Sequence, residues 1–416
     1  MTSRIATGQE PPANRNAGGQ RLSPFQRAAA TALASEGAHR VLFLNDHLAH
    51  GGAEHSMAKI VRGLAVNPRF HVNIALLEDR QTFDVPDSVA MWRFRKRFVL
   101  GPVGKFLTLP LDALRLTRLV RRYGAASVCS FQHRANFVNV LAKRLFRSKH
   151  QCIISERVHV AEYYRHKHLL GLSSGPVRDL LATLASAMVR RLYRHADAVT
   201  CNAQDTRQCL VTDYGVPPEL VHVIPNGYDV ETILDLAAKP VQADDRHLFE
   251  SDRQVLVNVG RLCRQKGQDH LLRAFARLDR PEDYRLLLLG NGPWREKLEG
   301  MARDLGIAES VHFLGYRPNP YPYMANADCF AFPSRYEGYP NAMAEAMVCN
   351  TPVVAFEFRA GAQELLEDGR YGALVPLGDV EGLADALAHH RSPSRRPLAS
   401  EQDTVDRYAR LFEDLL

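Results

Sequence analysis

Residues 254–275 read QVLVNVGRLCRQKGQDHLLRAF. The segment 254–260 is a largely apolar run that ends on Gly260, the pattern of a strand covered on both faces. Arg261 and Lys266 occupy a turn bounded by Gly260 and Gly267, and an amphipathic stretch over 269–279 follows. Strand, turn and helix make one half of a parallel crossover, and the alternation continues in both directions. Toward the amino end it predicts strands over 41–45, 71–77, 127–131, 152–155 and 198–202. Between them it predicts helices over 53–65, 110–123, 135–147, 176–195 and 204–213. Toward the carboxyl end it predicts strands over 284–290, 311–314, 329–332, 353–356 and 373–375, with helices over 294–305, 341–348, 361–366 and 380–388. Strands alternating with helices imply parallel sheets with helices on both faces. The fold class is therefore α/β, two tandem Rossmann-like doubly wound domains facing a cleft. Ligands of such sheets bind outside the carboxyl ends of the strands.

The join falls where Pro225-Asn226-Gly227 marks a turn. The expected segmentation is a disordered leader over 1–37, a first domain over 38–222, a second over 223–392, and a linker with a terminal helix over 393–416. The leader is polar and rich in Pro, Gly and Asn, with no apolar core of the kind a secretory signal carries. Its Arg enrichment also loosely resembles an organelle transit peptide.

At 416 residues, 46% hydrophobic and 24% charged, the chain is long enough for two or three domains and too apolar for wholesale disorder. No apolar run reaches the ~18 residues of a membrane span. Seven cysteines, an odd number without a C-x-x-C pair, argue against a disulfide framework and a zinc site and fit a reduced cytoplasmic protein. The net charge of +7 is unevenly spread: residues 36–210 are strongly basic and 211–416 acidic. A basic half suits nucleic acid, an anionic membrane or a phosphorylated ligand. Nucleic acid is disfavoured, because no recognition module or interleaving of aromatic and basic residues accompanies the charge.

The richest chemistry lies in residues 333–347, PSRYEGYPNAMAEAM. An apolar strand ends in a loop holding Glu337, Gly338, Tyr339 and Pro340, and a helix follows with Pro340 suited to its first position. The backbone N–H groups of Gly338, Tyr339, Asn341 and Ala342 would then lie at the positive helix end, ready for an anion. Glu337 sits in the loop and Glu345 about a turn into the helix. Amides for phosphate and carboxylates for hydroxyls suit a phosphorylated sugar; a turn residue and a solvated helix residue are the plain alternative. In the quoted strand–turn–helix, Arg261 and Lys266 suit a diphosphate, Arg by its fork and Lys as a point charge.

From about residue 39 to 379 the chain resembles the retaining glycosyltransferases of family 4, which have the GT-B fold and use nucleotide-sugar donors. SRYEGYPNAMAEAM matches that family's Glu-x7-Glu element. The resemblance implies that Glu337 contacts donor-sugar hydroxyls, Glu345 the ribose, and the amides from Gly338 to Ala342 the sugar and diphosphate. It makes Arg261 and Lys266 diphosphate ligands that also assist departure of the nucleoside diphosphate. The loop Gly51-Gly52-Ala53-Glu54 corresponds to the family's GGAE loop of donor and acceptor placement, and His133, after the strand VCSFQ, to its strand-end histidine beside the sugar. FLGYRPNP at 313–320 places Tyr316 and Arg317 near the base. Asn226 and Gly227 resemble a hinge, Ser155, Glu156 and Arg157 stand on the acceptor side, and Glu364 matches a usual Glu.

A retaining hexosyl- or N-acetylhexosaminyltransferase is thus expected, with a UDP-sugar favoured as donor and a saccharide or polyprenyl-linked saccharide as acceptor. SRYEGYPN is similar to transferases of surface-polysaccharide or glycolipid assembly. No Asp-x-Asp in strand context is present, so no cofactor and no metal are expected. Missing G-x-G-x-x-G, G-x-S-x-G and P-loop patterns count against nicotinamide, serine-hydrolase and kinase chemistry. A nucleotide-sugar 2-epimerase of the same architecture and a catalytically silent glycan- or lipid-binding scaffold are the other readings. Finally, Arg93, Arg95, Lys96 and Arg97 precede a leucine- and arginine-rich stretch over 101–124 that suits an anionic bilayer surface, or else packs its leucines into a core.

Overall fold

The computed structural model describes residues 37–49, 51–94, 101–165, 175–358, 361–390 and 396–416. Nearly all of the expected leader lies outside these residues, as do Arg95, Lys96, Arg97 and the linker stretch 391–395. Among the described residues two compact units emerge, one drawn from 1–155, 169–200 and 407–416 and the other from 156–168 and 201–406.

The first sheet has seven strands: β1 (His39–Asn45), β2 (Phe70–Leu76), β3 (Met91–Arg93), β4 (Ser127–Phe131), β5 (Gln151–Glu156), β6 (Ala198–Cys201) and β7 (Val221–Val223). Their order is β3-β2-β1-β4-β5-β6-β7. β1 pairs in parallel with β2 and β4, and every residue of β2 is buried. Two polar groups survive in β2 because each finds a partner. The Tyr123 hydroxyl lies 2.8 Å from His71 Nδ1, and Asn73 Oδ1 accepts from the Ala90 N–H at 2.6 Å.

The second sheet has six strands: β8 (Gln254–Val259), β9 (Tyr284–Leu289), β10 (Val311–Gly315), β11 (Cys329–Phe332), β12 (Val353–Glu357) and β13 (Ala373–Pro376), in the order β10-β9-β8-β11-β12-β13. All five pairings are parallel. The four consecutive leucines of β9 are fully buried, as a strand sandwiched between helices requires.

Strand order reverses direction between β1 and β4 in the first sheet and between β8 and β11 in the second. At these switch points successive crossovers diverge, leaving a crevice beyond the strand ends. The final helix, Glu401–Asp414, brings Tyr408 and Phe412 against the first sheet. The Phe412 ring meets Phe43 edge-on at 6.1 Å, and the Tyr408 hydroxyl lies 3.0 Å from Thr200 Oγ1.

Candidate active site

In the second unit, the loops that leave β8 and β11 are neighbours at the switch point and are laced together. Gly267 holds φ +67°, and a methyl group there would stand 1.9 Å from the Pro333 carbonyl oxygen. Only glycine satisfies both demands. Beside it the Lys266 ammonium pairs with Glu337 at 2.8 Å, the two side chains being 20% and 8% exposed. Ser334 Oγ donates to the same carboxylate at 2.8 Å, and Gln265 Nε2 donates at 3.3 Å. The ammonium also lies 5.3 Å from the centre of the Phe332 ring. A carboxylate taken this far from water is tolerable only when paired and hydrogen-bonded. Arg261, at the end of β8, is exposed and forms no ion pair among the described residues.

The helix that follows Glu337 runs Asn341–Val348, with Pro340 as its N-cap rather than its first residue, because Pro340 has the non-helical ψ of 71°. The Asn341 N–H, expected to be available to an anion, is instead committed to the Tyr339 carbonyl at 2.9 Å. The Asn341 side chain anchors the helix, its Oδ1 accepting from Asn226 Nδ2 at 2.8 Å and the Tyr228 hydroxyl at 3.0 Å. Arg157 in turn donates to Asn226 Oδ1 at 2.9 Å. Gly338 lies so close to residue 157 that a methyl group would stand 1.8 Å from its carbonyl oxygen. Ala342 and Glu345 are half-buried in this helix. Burial, followed by the Glu345 charge, raises the Tyr321 hydroxyl above its usual range. Burial, followed by Glu364, does the same to Tyr339. Glu364 accepts from the Gln204 N–H at 2.9 Å.

Arg317, expected beside a nucleotide base, has its fork committed elsewhere: Nε and Nη2 donate to Asp245 at 2.8 and 3.1 Å, and Nη1 to the Leu314 carbonyl. It braces the loop after β10. Tyr316, its neighbour, is 62% exposed.

In the first unit, Gly51 caps the helix Gly52–Ala65, and the Glu54 side chain folds back over it: a methyl group at Gly51 would stand 2.2 Å from Glu54 Oε2. Gln132, held at φ +71°, donates from Nε2 to Glu54 Oε1 at 2.7 Å. His133 follows at the start of the helix His133–Phe146, buried, with Nδ1 3.4 Å from the Tyr193 hydroxyl. The GGAE loop and the strand-end histidine segment therefore meet at the β1/β4 switch point.

Sequence reasoning missed a buried charge network beside them. Arg134 reaches Glu78 at 3.1 Å, Asp112 at 3.0 Å and Asp46 at 3.6 Å, and Lys105 reaches Glu78 at 2.9 Å. Burial opposes ionisation of Glu78, but the Lys105 and arginine contacts outweigh it and hold its pKa below the ordinary value. At Asp46 the balance falls the other way, desolvation pushing its pKa up despite Arg134. The available signal was an acidic pair, Glu78-Asp79, shortly after a buried strand.

Comparison with known proteins accords with this geometry. Residues 50–232 match the family described as Glycosyltransferase Family 4, and residues 253–390 the one described as Glycosyl transferases group 1. The chain is 29% identical over 340 residues, 82% of its length and 87% of the other's, to a Campylobacter jejuni enzyme. That enzyme is named N-acetylgalactosamine-N,N'-diacetylbacillosaminyl-diphospho-undecaprenol 4-alpha-N-acetylgalactosaminyltransferase. It is 34% identical over 244 residues to a GDP-mannose-dependent alpha-(1-6)-phosphatidylinositol monomannoside mannosyltransferase of Mycolicibacterium smegmatis, across 56% of this chain and 61% of that one. Among solved structures, HepE of Anabaena in complex with UDP and glucose superposes with a TM-score of 0.67 over 90% of this chain and 99% of that one, at 20% identity. Two parallel-sheet units with these matches define a glycosyltransferase of the GT-B fold. The matches over residues 50–232 and 253–390 support a glycosyltransferase of family 4.

Proposed function

We propose that the protein moves a hexosyl or N-acetylhexosaminyl unit from a nucleoside-diphosphate sugar to a hydroxyl of a lipid-linked saccharide, with retention of anomeric configuration. A UDP-sugar is the favoured donor and surface polysaccharide or glycolipid the favoured destination. The observation that carries this reading is the Lys266–Glu337 pair at the β8/β11 switch point. A cation for diphosphate and a carboxylate for sugar hydroxyls stand side by side there, where an open α/β sheet binds its ligand. The names of the Campylobacter and mycobacterial relatives support an acceptor held on a lipid.

In this reading Lys266 and Arg261 bind the diphosphate together with the amides of Gly338, Tyr339 and Ala342, while Pro340 and Asn341 shape the turn that presents them. Glu337 fastens the sugar and Glu345 the ribose, and the Arg317 brace steadies Tyr316 on the base side. Gly51 and Gly52 allow backbone to approach the donor, and His133 lines the reacting face. The bond from the anomeric carbon to the diphosphate breaks, and the nucleoside diphosphate leaves with the electron pair. The acceptor oxygen forms the new bond and passes its proton to the departing phosphate oxygen. Fixed cations and amide dipoles stabilise the leaving charge without a metal or other cofactor, since charge that develops in the transition state is best met by preorganised groups.

The protein would work peripherally on the cytoplasmic face of a membrane. No helix among the described residues is long and apolar enough to cross one. The helices Pro102–Leu107 and Leu109–Tyr123 expose Val103, Leu107 and Leu111, and the second also exposes Arg118, Arg121 and Arg122. That is the composition of a surface that lies on anionic lipid.

The test is incubation with a panel of nucleotide sugars and lipid-linked saccharides, following nucleoside-diphosphate release and the anomeric configuration of the product. Acceptor-dependent release with a retained linkage is expected. Interconversion of the nucleotide sugar without acceptor, or intact donor with every acceptor tried, would overturn the proposal.

A further inference from the structure

We propose that Arg335 is a positioning residue for transfer: it clasps the Glu337 loop to the Lys266 loop and fixes the spacing between the sugar-holding and the diphosphate-holding groups. The inference rests on the donor reading of Lys266 and Glu337 given above.

Arg335 stands two positions before Glu337, and its fork closes on Asp269, three positions beyond Lys266. Nη1 donates to Asp269 Oδ1 at 2.8 Å, and Nη2 to Oδ2 at 2.7 Å. Nη1 also reaches the Arg264 carbonyl at 2.6 Å, and the Arg335 N–H donates to the Gln265 carbonyl at 2.8 Å. Arg335 is thus tied by side chain and backbone together to two residues of the other loop and to one of the helix that follows it. Asp269 sits in the first turn of the helix Gln268–Phe275, so the clasp is rooted on a regular element. The two side chains are only 17% and 9% exposed, which protects their attraction from solvent screening.

The clasp matters because the other ion pair between the loops, among the described residues, is the Lys266–Glu337 pair itself. A diphosphate draws the ammonium toward its oxygens, and sugar hydroxyls draw the carboxylate, so a donor weakens that pair as it binds. The Arg335–Asp269 pair touches neither group and holds the loops in register meanwhile. Lysine cannot replace it, because a point charge lacks the two-pronged geometry that spans both oxygens.

The test uses the full chain with Arg335→Gln, Arg335→Lys, Asp269→Asn and the Arg335→Gln/Asp269→Asn double variant. Lys266→Ala and Glu337→Gln serve as references. Each is measured for kcat and donor KM by nucleoside-diphosphate release, for affinity toward the nucleoside diphosphate alone, and for thermal midpoint. Misplacing a reacting group by about 1 Å costs up to about 100-fold in rate, so kcat should fall roughly 10- to 100-fold in each single variant. Nucleoside-diphosphate affinity should hold within about threefold, because that ligand needs no sugar alignment. The double variant should lose no more than the worse single, as two ends of one interaction require. Arg335→Lys and Asp269→Asn carry the same test should Arg335→Gln not fold. Wild-type kcat in the Arg335 variants beside inactive Lys266→Ala and Glu337→Gln overturns the clasp and leaves the donor site standing. Full activity in those two references overturns the donor site as well. Additive losses, or losses that follow the folded fraction alone, also overturn the clasp.

Discussion

Replacing Glu337 with glutamine separates what the carboxylate does from what its neighbours do. The variant keeps size and shape but puts one amide nitrogen where an acceptor oxygen stood. In the native site that carboxylate accepts hydrogen bonds from Lys266 at 2.8 Å, from Ser334 at 2.8 Å and from Gln265 at 3.3 Å. The charged contact is the dominant loss, and hydrogen bonds to charged groups are worth about 1.5–3 kcal/mol. If Glu337 grips sugar hydroxyls as it grips Ser334, losing one such bond in the transition state lowers kcat by about ten- to over a hundredfold. The nucleoside diphosphate should respond differently. Lys266, at 20% exposure, loses its counter-charge and becomes a freer ligand for phosphate, so affinity for the nucleoside diphosphate should hold or tighten. The assay is steady-state release of nucleoside diphosphate with saturating acceptor, paired with direct titration of the nucleoside diphosphate and a thermal melt. Full kcat in a folded Glu337→Gln protein refutes the role, and weaker nucleoside-diphosphate binding refutes the assignment of Lys266 as the phosphate's partner.

Gly267→Ala should cost well over the ~1–2 kcal/mol of a left-handed alanine, because the added methyl also meets the Pro333 carbonyl at 1.9 Å; Gly306→Ala, at φ +72° with nothing within 4 Å, should show only the smaller cost, and equal melting shifts would discredit the contact. Burial, helped by the Lys143 charge, lowers His150 to about 4 between Asn139 and Ser148. The unfolded chain therefore takes a proton that the fold refuses, so stability is complete above the unfolded value near 6.5 and declines as pH falls toward 4. His150→Asn should flatten that part of a melting-midpoint profile, and an unchanged slope would contradict the assignment. Neutralising Arg118, Arg121 and Arg122 together should weaken sedimentation with anionic liposomes by about a hundredfold at ~1 kcal/mol per cation; undiminished binding would remove this helix from the membrane contact.

Most strands were legible because burial on both faces leaves a plain mark in composition: β4 and β11 fall where expected, and the helices Asn341–Val348 and Val380–Ala388 match to the residue. β3 and β7 were missed because three residues, with Arg93 or His222 among them, carry no periodic pattern. The short helices Val160–Arg165 and Tyr321–Ala325 escaped for the same reason. At the candidate site the residue types were readable, and their partners were not. Lys266 and Glu337 come together because strand order sets β8 beside β11, a fact of topology rather than of local spacing. Arg317 had the chemistry to meet a nucleotide, yet Asp245, distant in sequence, claims it. The Arg335–Asp269 clasp joins two segments that each look like ordinary surface charge.

The docking of Tyr408 and Phe412 onto Phe43, Phe131 and Thr200 sets an order of events at the ribosome. Strands made before the second unit must wait, one apolar flank bare, until this helix arrives after that unit has been synthesised. A nascent chain with such an unfinished flank is prone to aggregate and is a natural client for chaperones. Removing residues 407–416 should therefore cripple the earlier-made unit and spare the later-made one.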